Sequence, residues 1–207
     1  MAKGSRGGRR SGGGGVNPSD ILGTNNLLID TELDMITRNE VVGVLKDFQD
    51  EYGIGYNNTR IAKLKDKTNA LAFYDGDGIA INSKYLDSTK MNDAYQKCVK
   101  SGFHPSSGSK TGMEAVVAHE LGHQLNDMVG AKMGMDIDKS ATHIVNEARK
   151  RTKHRGVVQM ASKISGYATH SNAEAIAEAV ADVYCNGKKA KSESIAISNV
   201  VRKYLKN

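Results

Sequence analysis

Residues 114–126 read EAVVAHELGHQLN, with His119, Glu120 and His123 in the order H-E-x-x-H. Thr111 and Glu114 form a T-x-x-E capping box, which predicts that a helix starts there. On a helix, residues four apart lie one turn above another, so both imidazoles can turn toward one ion. They can meet the ~2.0–2.1 Å that zinc–nitrogen bonds ask for. Glu120 lies ~100° round the helix from His119. That places it beside the ion rather than on it, as general base toward a metal-activated water. The pattern arises by chance in roughly one chain of this length in two hundred. Its apolar flanks, VVA and LGHQL, add weight, because buried imidazoles that share no cation repel one another once protonated. Gly122 costs up to ~1 kcal/mol against Ala inside a helix. A second backbone passing close beside the ion accounts for it.

Two imidazoles leave zinc in need of a third protein ligand. The metzincin extension requires Gly and His three and six places after His123, where Asn126 and Val129 stand. The thermolysin pattern N-E-x-x-S-D begins at Asn146-Glu147, but Lys150 and Arg151 fill its last two places. Glu147 stays open as a ligand, with exposed pairing to residues 149–151 or His143 as its other role. The stronger candidate is ISGYATHSNAEAIAEAVADVY (164–184). There Glu174, Glu178 and Asp182 are spaced by four on one helix face, an arrangement that is destabilising unless something positive faces it. One carboxylate is expected to bind the metal, and its neighbours in the row to support a ligand imidazole. The competing reading is a Ser171–Glu174 capping box below a solvated acidic stripe, which explains Glu174 but not the other two.

HELGH followed by Y-x(6)-E-x-x-x-E, carried by Tyr167, Glu174 and Glu178, resembles the catalytic domain of the anthrax lethal factor family of zinc peptidases. The match covers roughly 111–187, with a hairpin upstream as in other zincins. The resemblance implies one Zn²⁺ per chain, with Glu174 joining His119 and His123. It also implies an oxyanion-stabilising Tyr167 and a Glu178 that supports a ligand. The expected activity is that of a zinc metallopeptidase acting on a protein or peptide substrate. Such domains also resemble modules of bacteriophage and mobile-element proteins. The alternative is therefore a non-enzymatic phage or mobile-element structural protein, a virion component with a zinc-stabilised fold.

Composition sets the frame for that site. The 207 residues suit one domain, and 39% apolar with 25% charged residues suits a globular protein. With no Trp and 5% aromatics, a core must use Ala, Ile, Val, Leu and Met. Lys3, Arg6, Arg9 and Arg10 account for four of the six net positive charges. Residues 1–19, rich in Gly and Arg without apolar period, read as a disordered tail. Nucleic-acid contact through this tail is the sharper alternative, but it lacks the repeats and interleaved aromatics of RNA-binding segments. Residues 20–207 read as a single zincin-like domain. No apolar run is long enough for a bilayer and no secretory signal is visible, so a cytoplasmic location is expected, or a virion if phage-encoded. Cys98 and Cys185 are expected reduced and buried.

The remaining elements follow from period and punctuation, starting with order near Ile21. Thr37 and Glu40 suggest a capping box for a helix over 38–52, stopped by Gly53. TRIAKLK (59–65) reads as a strand. LAFY (71–74), DGDG (75–78) and IAIN (79–82) read as a hairpin turned by Asp-Gly pairs. IAIN is either an edge on which an extended substrate pairs or a covered inner strand. Met91, Tyr95 and Cys98 mark a helix ended by Gly102 and Pro105. Helices are also expected over 138–152, from Ser171 to Asn186-Gly187, and through Ile197, Val200, Val201, Tyr204 and Leu205. A helix, a few strands and then helices make the class α+β, mostly helical with a small sheet.

Overall fold

The computed structural model describes residues 28–29, 33–54, 58–62, 70–76 and 78–206. The expected tail at 1–19, the onset near Ile21 and the end of the 59–65 strand lie outside the described residues. In chain order the elements are β1 (Leu28–Ile29), α1 (Met35–Tyr52), β2 (Asn58–Ala62), β3 (Ala72–Tyr74), β4 (Ile79–Asn82) and α2 (Ser88–Lys100). Then follow α3 (Gly112–Met133), α4 (Ile137–Lys150), α5 (Val157–Ile164), α6 (Asn172–Asn186) and α7 (Ser192–Lys206). The fold is mostly helical α+β, as expected. Among the described residues no helix is long and apolar enough to cross a membrane.

α3 runs through the middle, touching α1, α2, α4, α6, α7 and the β3–β4 hairpin. Its capping box forms in full: the Thr111 hydroxyl accepts from Glu114 N–H, and the Glu114 carboxylate accepts from Thr111 N–H. Val117, Leu121, Leu125 and Val129 are buried along it. Ala141, Ile144, Val145 and Ala148 face the same core from α4, and Ile197, Val200 and Val201 from α7.

Two local expectations change. Asp34, not Thr37, caps α1, accepting Thr37 N–H at 2.9 Å. Thr37 sits inside the helix, buried, and its hydroxyl donates to Asp34 Oδ2. Glu40 turns to the Ser88 hydroxyl at the start of α2 rather than back to its own helix. Asp caps at least as well as Thr, and the helix starts three residues earlier than expected, at Met35. α5, missed from sequence, has only eight residues, too few for a periodic signal, and its Gly156 N-cap makes no side-chain bond.

The hairpin forms with Tyr74 opposite Ile79, and Gly76 takes the positive φ (93°) that its turn needs. The strand order is β1-β2-β4-β3, with β1–β2 and β2–β4 parallel. IAIN is therefore the covered inner strand, buried at all four positions, and β3 is the edge among the described strands. Four consecutive buried residues suit a strand covered on both faces.

The closest helix contact explains Gly122. A Cβ there would stand 2.6 Å from Ala177 Cα, so α3 and α6 touch backbone to backbone. Gly122→Ala is accordingly expected to destabilise by about 2 kcal/mol, lowering the melting temperature by roughly 4–8 °C. An unchanged or higher melting temperature for the variant would show that the helices do not meet there.

Candidate metal centre

Because α6 lies this close to α3, the carboxylates on its first two turns reach the imidazoles. Ser171 caps α6 and accepts Glu174 N–H at 3.0 Å, which fixes where the first carboxylate starts. The Glu174 side chain does not fold back to complete a capping box. Its Oε2 stands 3.1 Å from His119 Nε2 and 3.4 Å from His123 Nε2. One ligating atom from each of the three residues lies within 4.8 Å of the others. The expected trio is thus brought together.

Does this trio fit a metal? Glu174 Oε2 is buried and accepts a well-directed hydrogen bond from neither imidazole, although both are within contact distance. Three lone-pair-bearing atoms converge with no proton properly aligned between them. Two imidazole nitrogens and one carboxylate oxygen are also a donor set of catalytic zinc. The surroundings ask for positive charge at that point. Burial opposes a charge on His119, but Glu174 and Glu178 outweigh it and raise its pKa well above the usual value. Burial likewise pushes the Glu174 carboxyl up, and His119 and His123 overcome this and hold it well below the carboxylate range. The residues fit a zinc ion.

Glu178 lies behind the trio and is 1% exposed. Its Oε1 is 2.8 Å from His119 Nδ1 and 2.9 Å from His104 Nδ1, and its Oε2 accepts from the Ser165 hydroxyl at 2.6 Å. The His119 contact is off the line of a directed hydrogen bond, so it is electrostatic in this state. Burial opposes ionisation, but His104 and His119 prevail and bring the Glu178 pKa down to about 2. An ionised Glu178 facing Nδ1 favours the tautomer that leaves Nε2 free to bind metal.

Asp182 does not take part. Its Oδ1 accepts from Asn186 Nδ2 at 2.8 Å and its Oδ2 from Lys191 N–H at 2.9 Å, tying the end of α6 to the start of α7. Two helical turns, roughly 12 Å, separate it from Glu174, too far to follow the same imidazoles. Nor is the row a solvated stripe, since Glu178 and Asp182 are both buried. Glu147 is occupied elsewhere: Arg151, Lys203 and the Tyr204 hydroxyl all reach it at 2.7–2.9 Å. The Tyr204 and Lys203 hydrogen bonds bring its pKa down to about 2.

Glu120 is 5% exposed and faces the β3 edge, where Tyr74 N–H donates to it. Burial pushes its pKa up, against the pull of His119 and His123. Tyr167 occupies a turn of 3₁₀ helix before α6, its ring stacked on His119 at 5.7 Å and its hydroxyl donating to Glu174 Oε1 at 3.2 Å. Burial and the Glu174 charge raise the Tyr167 pKa, so it stays a donor. Two backbone bonds, Gly166 N–H to Gly102 O and Tyr167 N–H to Phe103 O, hold this turn against the 102–104 loop.

That loop supplies the residue sequence reasoning missed. His104 stacks on Tyr95 at 5.3 Å, nearly parallel, and reaches Glu178. It precedes the motif by a loop and has no helical spacing to it, so only its identity as one of six histidines marked it. Ser165 was equally silent. Both cysteines are free: Cys185 is buried as expected, whereas Cys98 is only half-buried. No family model, curated protein or solved structure matches the chain.

Proposed function

We propose that this chain is a zinc-dependent endopeptidase resembling the lethal factor type of zincin. The observation that carries the reading is the convergence of His119 Nε2, His123 Nε2 and Glu174 Oε2, with the buried Glu120 next to them. A zinc ion held by these three would lower the pKa of a water to about 7 and polarise a peptide carbonyl. Glu120 takes the proton from the attacking water and passes it to the leaving amine. Tyr167 donates its hydroxyl to the oxyanion that develops on the carbonyl. Glu178, held by Ser165 and His104, keeps His119 oriented. β3, rather than β4, is the sheet edge among the described residues and the candidate strand for pairing with an extended peptide.

The test begins with full-length protein purified without chelator. Elemental analysis is expected to find one zinc per chain. A screen of protein and peptide substrates is expected to find cleavage that a chelator abolishes and added zinc restores. Cleavage that persists in metal-stripped protein would sink the mechanism.

A further inference from the structure

Beside His119 and Glu120 opens a cleft of about 780 Å³ between the start of β3, the 83–85 turn, α2 and α3. Its apolar lining combines the buried Ala72, Tyr95 and Val116 with the half-buried Leu71, Tyr85 and Ala94. Its exposed rim is charged and one-sided. Among the described lining residues, Lys84, Lys90 and Lys97 are exposed together with one exposed acid, Asp93, while Glu120 is buried. Lys90 and Lys97 are two turns apart on α2, hence on one face.

What sets these three lysines apart is their place on the cleft, since Lys100, Lys150 and Lys163, among others, also lack an ion pair among the described residues. Lys46, Lys110, Lys139, Lys203 and Lys206 each pair with a carboxylate. None of the rim lysines has an acidic partner among the described residues, although Asp93 sits three residues after Lys90 and four before Lys97. A cleft with low-dielectric walls focuses the field of such unneutralised charges on whatever enters.

Resting on the endopeptidase reading, we infer that the cleft selects an acidic peptide segment: a bulky apolar side chain fills the interior, and flanking Glu or Asp residues meet Lys84, Lys90 and Lys97. A nucleic-acid strand suits it less. Among the described residues the rim offers three lysines and no arginine, and the cleft ends on the groups proposed for amide hydrolysis.

The test uses two fluorescent ten-residue peptides with the same central Leu, one flanked by Glu and the other by Lys. Binding to full-length Glu120→Gln protein is followed by anisotropy. The acidic peptide is expected to bind about tenfold tighter, each exposed pair adding modestly, and 0.5 M salt should shrink the difference. The triple variant Lys84→Glu/Lys90→Glu/Lys97→Glu should abolish or reverse the preference. These side chains are exposed, so circular dichroism should show an unchanged fold. The variant keeps Lys3, Arg6, Arg9 and Arg10, so attraction to the basic N-terminus survives in it. Equal binding of the two peptides, an acidic preference that outlives the triple reversal, or tighter binding of a single-stranded oligonucleotide would overturn the inference. Zinc-loaded wild type is tested separately for cleavage of both peptides. Cleavage of neither, with the acidic preference intact, counts against hydrolysis and not against the rim.

Discussion

The Glu120→Gln protein is expected to bind zinc and fold as the wild type does while its peptide cleavage falls by at least ~10²-fold, the low end of general-base contributions. Gln has the size and shape of Glu and keeps an oxygen for the Tyr74 N–H, so the buried position on α3 can be refilled without a cavity. What it loses is the ability to accept a proton. Because His119, His123 and Glu174 form the proposed ligand set, the substitution is expected to leave metal binding intact. Zinc content, circular dichroism and cleavage rate are measured on the same preparation. Tyr167→Phe is a companion: it should also retain zinc, and losing one oxyanion donor should cost about 10²–10³-fold in rate. A Glu120→Gln enzyme that cleaves at the wild-type rate removes Glu120 from the chemistry. If broad screening finds no cleavage while zinc is bound, the site is better read as a zinc staple in a structural protein.

Glu174→Ala is expected to lose most of its zinc, with affinity falling by more than the 10–100-fold typical of removing a supporting partner. The loss follows from geometry: Glu174 Oε2 is the one carboxylate oxygen within 3.4 Å of both ligand imidazole Nε2 atoms among the described residues. Glu147→Ala is the control. Its carboxylate is engaged by Arg151, Lys203 and Tyr204, so its removal should loosen the α4–α7 contact slightly and leave zinc unchanged. Elemental analysis and competition with a chromogenic chelator read both variants. Full zinc in Glu174→Ala together with depletion in Glu147→Ala would move the third ligand to α4.

Much of the candidate site was legible because helical spacing is local. The four-residue step from His119 to His123, the neighbouring Glu120 and the row beginning at Glu174 need only the 3.6-residue period to be placed on faces. The anomaly of Gly122 announced a close neighbour without naming it. The hairpin was equally readable from Asp-Gly punctuation. Sequence could not choose among acids spaced alike. Glu174, Glu178 and Asp182 differ little in a periodic pattern, yet one faces both imidazoles, one sits behind His119 and one ties down α7.

That choice belongs to tertiary structure, which sets where along α6 the backbone of Ala177 meets Gly122. The contact brings Glu174 and Glu178 level with the two His and leaves Asp182 beyond them. The same holds for His104, brought to Glu178 by the Tyr95 stack and the backbone bonds from Gly166 and Tyr167 to Gly102 and Phe103, and for β3, the edge among the described strands because β4 pairs in parallel with β2. The sequence by itself determined the donor types, their faces and the helical character of the chain. Partner identity, depth and strand order were decided by packing, because contacts between residues tens of positions apart leave no period in the sequence that carries them.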